Sequence, residues 1–239
     1  MERIISFTQS VPQLGLYTRT STVGAELEMV RAFVDYFSER FLRQNKASNL
    51  AVFIEPRIAS GFPDVVFASY APSAFEGWAN VRNELGSVDL KILSYIINQD
   101  GCDGKDIVHD LLFPEGQVLF SLEHLLDAKL VERKSGTWLP TKMSKVYGIK
   151  KLVSVEAKIG NIKKVTEQSY LNTWFASHSY ALIDSRPAES TIKNFRESGI
   201  GLYCRKNRFL KIVEAQERAL PSSYVSLQFN EWIGRALQA

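Results

Sequence analysis

Two charged residues interrupt an otherwise apolar run in the second half of the chain. Residues 152–159 read LVSVEAKI, a pattern that predicts a β-strand. Because alternate side chains of a strand share a face, Ser154, Glu156 and Lys158 are expected together on one side of it. An acid and a base at this spacing belong either to a solvated face or to a chemical site.

A second acid lies inside the apolar run of residues 61–67, GFPDVVF. Aspartate is disfavoured in strands, and burying the Asp64 carboxylate without a partner costs several kcal/mol. A divalent cation held by Asp64 and Glu156 would supply that partner, and carboxylate oxygens suit Mg²⁺ or Mn²⁺. The alternative is that Asp64 caps a turn after Pro63, since Pro-Asp pairs are common in turns.

The elements that must position these residues alternate between helix and strand. Apolar residues at steps of three and four predict an amphipathic helix over residues 24–43, and Pro56 predicts an interrupted or edge strand. The remaining patterns predict strands at 49–58, 62–70, 151–159 and 180–184, helices at 162–177, 187–197 and 222–237, and a hairpin at 200–205 and 209–215. We therefore expect a mixed α/β fold.

Residues 86–141 follow a different pattern, which divides the chain. Helices are predicted at 88–98, 103–112 and 114–127, followed by a hairpin at 130–132 and 137–139. This order resembles a winged helix-turn-helix. We therefore expect an α/β core formed by residues 1–85 and 142–239, interrupted by a small winged-helix-like domain.

The order Pro63-Asp64 followed by Glu156-Ala157-Lys158 resembles the PD-(D/E)xK nuclease superfamily over residues 24–70 and 150–215. The resemblance implies a restriction-endonuclease-like core sheet flanked by helices. It also implies a metal-dependent endonuclease that hydrolyses DNA phosphodiester bonds with Mg²⁺ or Mn²⁺. Asp64 and Glu156 would bind the metal together with the Ala157 carbonyl, and Lys158 would orient or help deprotonate the attacking water.

Members of this superfamily also contribute an acid from the first helix. Glu26 lies beside the apolar stripe of the predicted helix and Glu28 nearly opposite it, so Glu26 is the candidate metal ligand. The alternative is that Glu26 only complements the helix macrodipole.

A glutamine on the helix after the Glu-x-Lys strand is another feature of the superfamily. Gln168 lies close to the apolar stripe of that helix and is the catalytic candidate, against the alternative of a polar residue at a helix boundary. The tyrosine expected four residues later is replaced by Asn172. Glu55 is a further acid whose strand phase is uncertain beside Pro56.

Basic residues cluster in the last third of the chain and suit a DNA backbone. The candidate contacts, which are otherwise ordinary surface charges, are Lys163, Lys164, Arg186, Arg205, Lys206 and Arg208.

The third predicted helix of the insertion lacks the residues that usually read bases. Its expected buried side is formed by Val118, Leu119, Leu122, Leu125 and Leu126. Its expected outward side is formed by Gln117, Phe120, Ser121, Glu123 and His124, with no arginine or lysine. We therefore expect the insertion to contact a protein partner or a second copy of the chain, in preference to reading a DNA sequence.

Composition excludes several classes. The 239 residues are 45% hydrophobic, which argues against a disordered chain, and no apolar run approaches the roughly 20 residues that span a bilayer. Two cysteines and three histidines are too few for a disulfide scaffold or a histidine-rich metal site. We expect a cytoplasmic protein without membrane contacts. The alternative function is a catalytically inactive DNA-binding or assembly factor on a nuclease-like scaffold.

Overall fold

The computed structural model describes residues 3–18 and 23–238, and these form a mixed α/β structure. Its described strands are β1 (Ile4–Phe7), β2 (Tyr17–Thr18), β3 (Asn49–Ile54), β4 (Pro56–Arg57), β5 (Val65–Tyr70), β6 (Val131–Lys134), β7 (Thr137–Pro140), β8 (Ile149–Lys158), β9 (His178–Ile183), β10 (Gly201–Arg205) and β11 (Phe209–Val213). Its described helices are α1 (Ala25–Gln44), α2 (Ser87–Asn98), α3 (Gly104–Leu111), α4 (Glu115–Asp127), α5 (Met143–Val146), α6 (Ile162–Leu171), α7 (Glu189–Ser198) and α8 (Tyr224–Gln238).

The chain divides into two compact units. The first comprises residues 1–10, 17–71 and 149–222, and the second comprises 11–16, 72–148 and 223–239. The second unit is therefore larger than the predicted 86–141 insertion, because the segments on either side of it and α8 belong to it. The sequence pattern of residues 86–141 did not indicate that these flanking segments and α8 would pack with them.

A seven-stranded mixed sheet forms the first unit, in the order β1-β3-β5-β8-β9-β10-β11. Strand β5 is antiparallel to both of its neighbours, β3 and β8, whereas β8, β9 and β10 run parallel. Helix α1 packs on one face of this sheet through Met29, Val30 and Phe33, which contact an apolar cluster that includes Val153 and Val155. The central strand β8 is thus held by hydrogen bonds on both edges.

The opposite face of β8 is also buried, which excludes the solvated-face interpretation. Ser154 is fully buried, and Glu156 is 2% exposed. Helix α6 packs on this face. Here the Ser154 hydroxyl donates to the Ser179 hydroxyl of the neighbouring strand β9 at 3.1 Å, and Ser179 donates to the Ser169 carbonyl of α6. Polar side chains of β8 are therefore enclosed by hydrogen-bonding neighbours instead of water.

The second unit contains three helices and a hairpin in the predicted order, α2, α3, α4 and β6–β7. It also holds a buried ion pair, in which the Arg82 guanidinium donates through Nε to a Glu231 carboxylate oxygen at 3.1 Å. Arg82 donates further to the carbonyls of Lys145 and Val146, and its guanidinium stacks 3.7 Å from the centre of the Trp78 ring. These bonds satisfy the charge and tie α8 to the segment before α2.

Helix α4 is rotated relative to its predicted orientation. Its buried residues are Val118, Ser121, Leu122 and Leu125, whereas Leu119 and Leu126 are exposed. The prediction for Leu119, Leu126 and Ser121 was therefore wrong. A small serine permits close approach to neighbouring elements at a position where leucine would be expected from hydropathy alone.

Candidate functional site

Strand pairing brings the two predicted acids together across the 92 positions that separate them in sequence. Val65 of β5 pairs with Val155 of β8 in antiparallel register, so Asp64, just before β5, lies beside residues 156 and 157. An Asp64 carboxylate oxygen, Oδ2, accepts a hydrogen bond from the Ala157 backbone N–H at 2.6 Å. The turn-capping alternative for Asp64 does not describe this contact, which crosses between strands.

Glu156 is a buried carboxyl with one unsatisfied oxygen. Its Oε1 accepts a hydrogen bond from the Asn172 side-chain amide at 2.7 Å. Within the described ranges, no hydrogen-bond donor reaches its Oε2. Burial, followed by the charge of the neighbouring Asp64, raises the pKa of Glu156 to about 8. The Asn172 hydrogen bond and the Lys158 charge favour the ionised form of Glu156, but burial and Asp64 outweigh them.

The pKa of Asp64 is raised as well. Burial raises its pKa, while the Ala157 N–H and the Lys158 ammonium oppose the rise, and the charges of Glu26 and Glu55 add to it. Two adjacent carboxyls that each resist ionisation form a site that favours a cation.

Lys158 supplies a positive charge at the end of β8. Its ammonium group donates to Glu26 Oε2 at 2.9 Å and to the Ala157 carbonyl at 2.8 Å, and it lies 3.8 Å from Asp64 Oδ2. Although burial lowers the pKa of Lys158, the charges of Asp64 and Glu26 outweigh burial and raise it. Lys158 is thus a cation and a donor at neutral pH, which suits orientation of a water molecule better than its deprotonation.

Helix α1 contributes Glu26 to the same cluster. Its Oε1 accepts from the Ile159 backbone N–H at 3.3 Å. Partial burial would raise the pKa of Glu26, but the hydrogen bond and charge of Lys158 lower it below its usual range. Glu28 is exposed. Glu26 therefore does not only complement the helix macrodipole, because its carboxylate also binds the Lys158 ammonium group.

Two residues near the acids, Asn172 and Glu55, make contacts that the sequence patterns did not predict. Asn172 follows α6 and fixes the Glu156 carboxyl. The sequence placed Asn172 on the inward stripe of the predicted helix, in place of the expected tyrosine, but assigned it no role. Glu55 lies between β3 and β4 with a left-handed φ of 46°, is 7% exposed, and donates its backbone N–H to the Asp64 carbonyl at 2.9 Å. The apolar stripe of α6 pointed toward Asn172, whereas only Pro56 signalled the irregular backbone at Glu55.

Gln168 lies on α6, and its Oε1 is buried. In the part of the chain that is described, this oxygen has no hydrogen-bond partner, and Gln168 makes no hydrogen bond to Asp64 or Glu156. The amide that contacts the acid pair is therefore that of Asn172, four residues further along.

The predicted DNA-contacting cations are dispersed on the surface of the first unit. Lys163 and Arg186 lie 4.0 Å from Glu167 and Glu189 respectively. Lys164 lies close enough to Glu26 to lower its pKa. The other three are exposed and lie at the end of β10 and in the turn that follows it: Arg205, Lys206 and Arg208.

The donor set fits a hard divalent cation. Among the described residues, no group of three or more histidine, cysteine, aspartate or glutamate side chains is arranged to hold a metal. The half-buried Asp64 and the buried Glu156 do offer oxygen ligands, and a cation would supply the partner that Glu156 Oε2 lacks. Oxygen-only sites with one or two protein carboxylates and several waters are typical of Mg²⁺.

No family model matches this chain, and neither the search of curated proteins nor the search of solved structures finds a match. None of the helices in the described ranges is both long and apolar enough to cross a bilayer.

Proposed function

We propose that the protein is a metal-dependent nuclease that hydrolyses DNA phosphodiester bonds, acting as an endonuclease. The observation that carries the proposal is the pair formed by the half-buried Asp64 and the buried Glu156, with Glu156 Oε2 lacking a donor and Lys158 adjacent. Without a bound cation, ionisation of both carboxyls would place two like charges close together in a site that is largely shielded from water, which is why their pKa values are raised.

Asp64 and Glu156 would hold Mg²⁺ or Mn²⁺, with the Ala157 carbonyl as a further oxygen ligand. Glu26 was also expected as a ligand, but its two carboxylate oxygens accept from Lys158 and from the Ile159 N–H, so we assign it the role of holding Lys158. When bound, such a cation lowers the pKa of its water and stabilises charge that develops on phosphate oxygens. Lys158 orients the attacking water and offsets phosphate charge, because its ion pair with Glu26 keeps it protonated. Asn172 holds the Glu156 carboxyl in place, and Gln168 remains a candidate for contact with the phosphate or water.

The DNA backbone would contact the basic surface of the first unit. Lys163 and Lys164 begin α6, which directly follows the site, and their charges would attract phosphate irrespective of sequence. Arg186 and the β10–β11 turn offer further phosphate contacts.

The second unit would bind a protein partner or a second copy of the chain. Helix α4 exposes Leu119, Phe120 and Leu126, and its sequence contains no arginine or lysine. An apolar outward surface favours protein contact over the phosphate contacts that DNA reading requires.

Cleavage of supercoiled plasmid with Mg²⁺ or Mn²⁺ tests the proposal. Wild type is compared with Asp64→Asn, Glu156→Gln and Lys158→Met, with the exposed Glu197→Gln as matched control. We expect nicked and linear product from wild type and Glu197→Gln, and at least a roughly 100-fold loss in the three site variants. Circular dichroism verifies that each variant is folded.

Two results would overturn the proposal. Cleavage that is equal in wild type and Glu156→Gln would come from another site or a contaminant. Absence of cleavage by wild type, with normal DNA binding, would favour a catalytically inactive DNA-binding or assembly factor.

A further inference from the structure

A cavity in the first unit lies away from the acid pair. It is a cavity of about 290 Å³ between the C-terminal half of α1 and the sheet, and strands β3, β5, β8, β9, β10 and β11 contribute to its lining. This volume lies at the lower limit of the roughly 300–1,000 Å³ of small-molecule sites. The cavity is therefore suited to a small ligand.

The cavity and the acid pair lie on opposite faces of β8. Lys151 and Val153 line the cavity, and they alternate along the strand with Ser154 and Glu156 of the other face. Lys151 is seven residues before Lys158, or about 23 Å along an extended strand. A ligand here would not occupy the proposed catalytic site.

Aromatic rings form much of the cavity wall. Phe37 of α1 and Phe67 of β5 stack with their ring centres 4.1 Å apart, and the rings of Tyr180 and Tyr203 are 5.0 Å apart. All four residues line the cavity. Phe37 is the partly exposed ring of the four, whereas Phe67, Tyr180 and Tyr203 are at most 3% exposed and support it from behind. An exposed aromatic ring favours a planar group over a branched aliphatic one.

Positive charge is concentrated at the same cavity. Arg40, Lys151 and Lys211 line it, and no carboxylate does so among the described residues. Lys211 pairs with Glu214, which also accepts from the Tyr180 hydroxyl, and Arg40 donates to the Tyr36 hydroxyl at 3.1 Å. Within the residues described, the Lys151 ammonium group makes no hydrogen bond or ion pair.

Lys151 differs from Arg40 and Lys211 because its ammonium group has no partner among the described residues. It is partly buried, and burial lowers its pKa despite the attraction of Glu214 and Glu217. A lysine that loses hydration without gaining a partner carries an unfavourable charge, and an anionic ligand would relieve it.

We propose that this cavity binds a nucleotide, with its planar base against the aromatic wall and its phosphate at Lys151, Arg40 and Lys211. The proposal is independent of nuclease activity, because it uses neither acid of the other site. Either a free mononucleotide or the 5′-phosphorylated end of an oligonucleotide would present this chemistry.

Isothermal titration calorimetry with thymidine 5′-monophosphate tests the proposal, with thymidine and inorganic phosphate as the two half-ligands. We expect saturable binding of the monophosphate at one site, and at least tenfold weaker binding of each half-ligand. A 5′-phosphorylated thymidine pentamer distinguishes the sources, since binding tighter than that of the mononucleotide would identify a strand end as the ligand.

Substitutions in and beside the cavity test whether the monophosphate binds there. Lys151→Met should weaken binding at least tenfold, whereas Lys150→Met, an exposed neighbour outside the cavity, should change it less than twofold. Ser69→Leu, which pairs with Lys151 in the sheet and fills the cavity, provides a second loss variant that keeps every charge. Absence of monophosphate binding to wild type, or equal binding by wild type and both loss variants, would overturn the proposal. Inorganic phosphate binding as tightly as the monophosphate would likewise refute it, since the aromatic wall would then contribute nothing.

Discussion

Replacing the Glu156 carboxyl by an amide isolates the electrostatic cost of the acid pair. In Glu156→Gln the side chain keeps its shape, and its oxygen still accepts the hydrogen bond from Asn172. The new amide nitrogen can donate toward Asp64, whereas the original carboxylate repels it. We therefore expect the variant to be more stable than wild type at alkaline pH.

The magnitude follows from the raised pKa of Glu156. The pKa of Glu156 is 4.5 when unperturbed and about 8 in the folded chain. Between these two pH values the carboxyl is ionised in the unfolded state and protonated in the folded state. This difference lowers the wild-type free energy of unfolding by up to about 5 kcal/mol as the pH rises. The contribution is complete below pH 4.5 and is lost as the pH rises toward 8. Glu156→Gln lacks this dependence.

Urea unfolding with EDTA at pH 5 and pH 8 measures the effect. The stability of Glu156→Gln relative to wild type should increase by several kcal/mol between the two pH values. Glu197→Gln, on the exposed side of α7, should show no such increase. A difference between Glu156→Gln and wild type that does not change with pH would refute the reasoning.

Three further outcomes follow from buried contacts. Glu231→Gln should lower the free energy of unfolding by about 3–5 kcal/mol, measured by urea denaturation, because it leaves Arg82 buried without its counter-charge. Asn172→Ala should weaken Mn²⁺ binding roughly tenfold in calorimetric titrations, because it removes a hydrogen bond of about 1.5–3 kcal/mol from the ionised Glu156. Cys102 should react slowly with a thiol reagent at pH 8 until the protein is unfolded, because burial raises its pKa to about 11.

Matched controls separate these effects from general destabilisation. Glu39→Gln removes an exposed ion pair with Arg43 and should cost less than about 1 kcal/mol. Thr173→Ala, next to Asn172, leaves the Glu156 hydrogen bond intact and should not alter Mn²⁺ binding. A cost for Glu231→Gln no larger than that for Glu39→Gln, equal Mn²⁺ binding by Asn172→Ala and wild type, or rapid Cys102 labelling in the folded state would contradict the respective prediction.

Periodicity predicted most of the α/β elements to within a few residues. The amphipathic stripe of α1 and the apolar alternation of β8 are strong patterns because each element buries a face in the same core. Pro56 correctly signalled the interruption between β3 and β4. Strand β1 was missed, because a four-residue edge strand gives little periodic signal.

Long-range geometry explains what the sequence could not specify. The hydrogen bond from Asn172 to Glu156 depends on where α6 ends, and that depends on packing against β8 and β9. The left-handed backbone of Glu55 and the inward turn of Ser121 on α4 are likewise set by neighbouring elements. The membership of α8 in the second unit depends on the buried pair of Arg82 and Glu231, which are 149 positions apart.

Calorimetric titration of Mn²⁺ into metal-free protein at pH 7 tests the proposed acid pair most directly. One binding event with release of protons is expected for wild type, since Glu156 must lose its proton to become a ligand, and none is expected for Glu156→Gln. Equal binding by both proteins, or no binding to folded wild type, would contradict a cation site at Asp64 and Glu156.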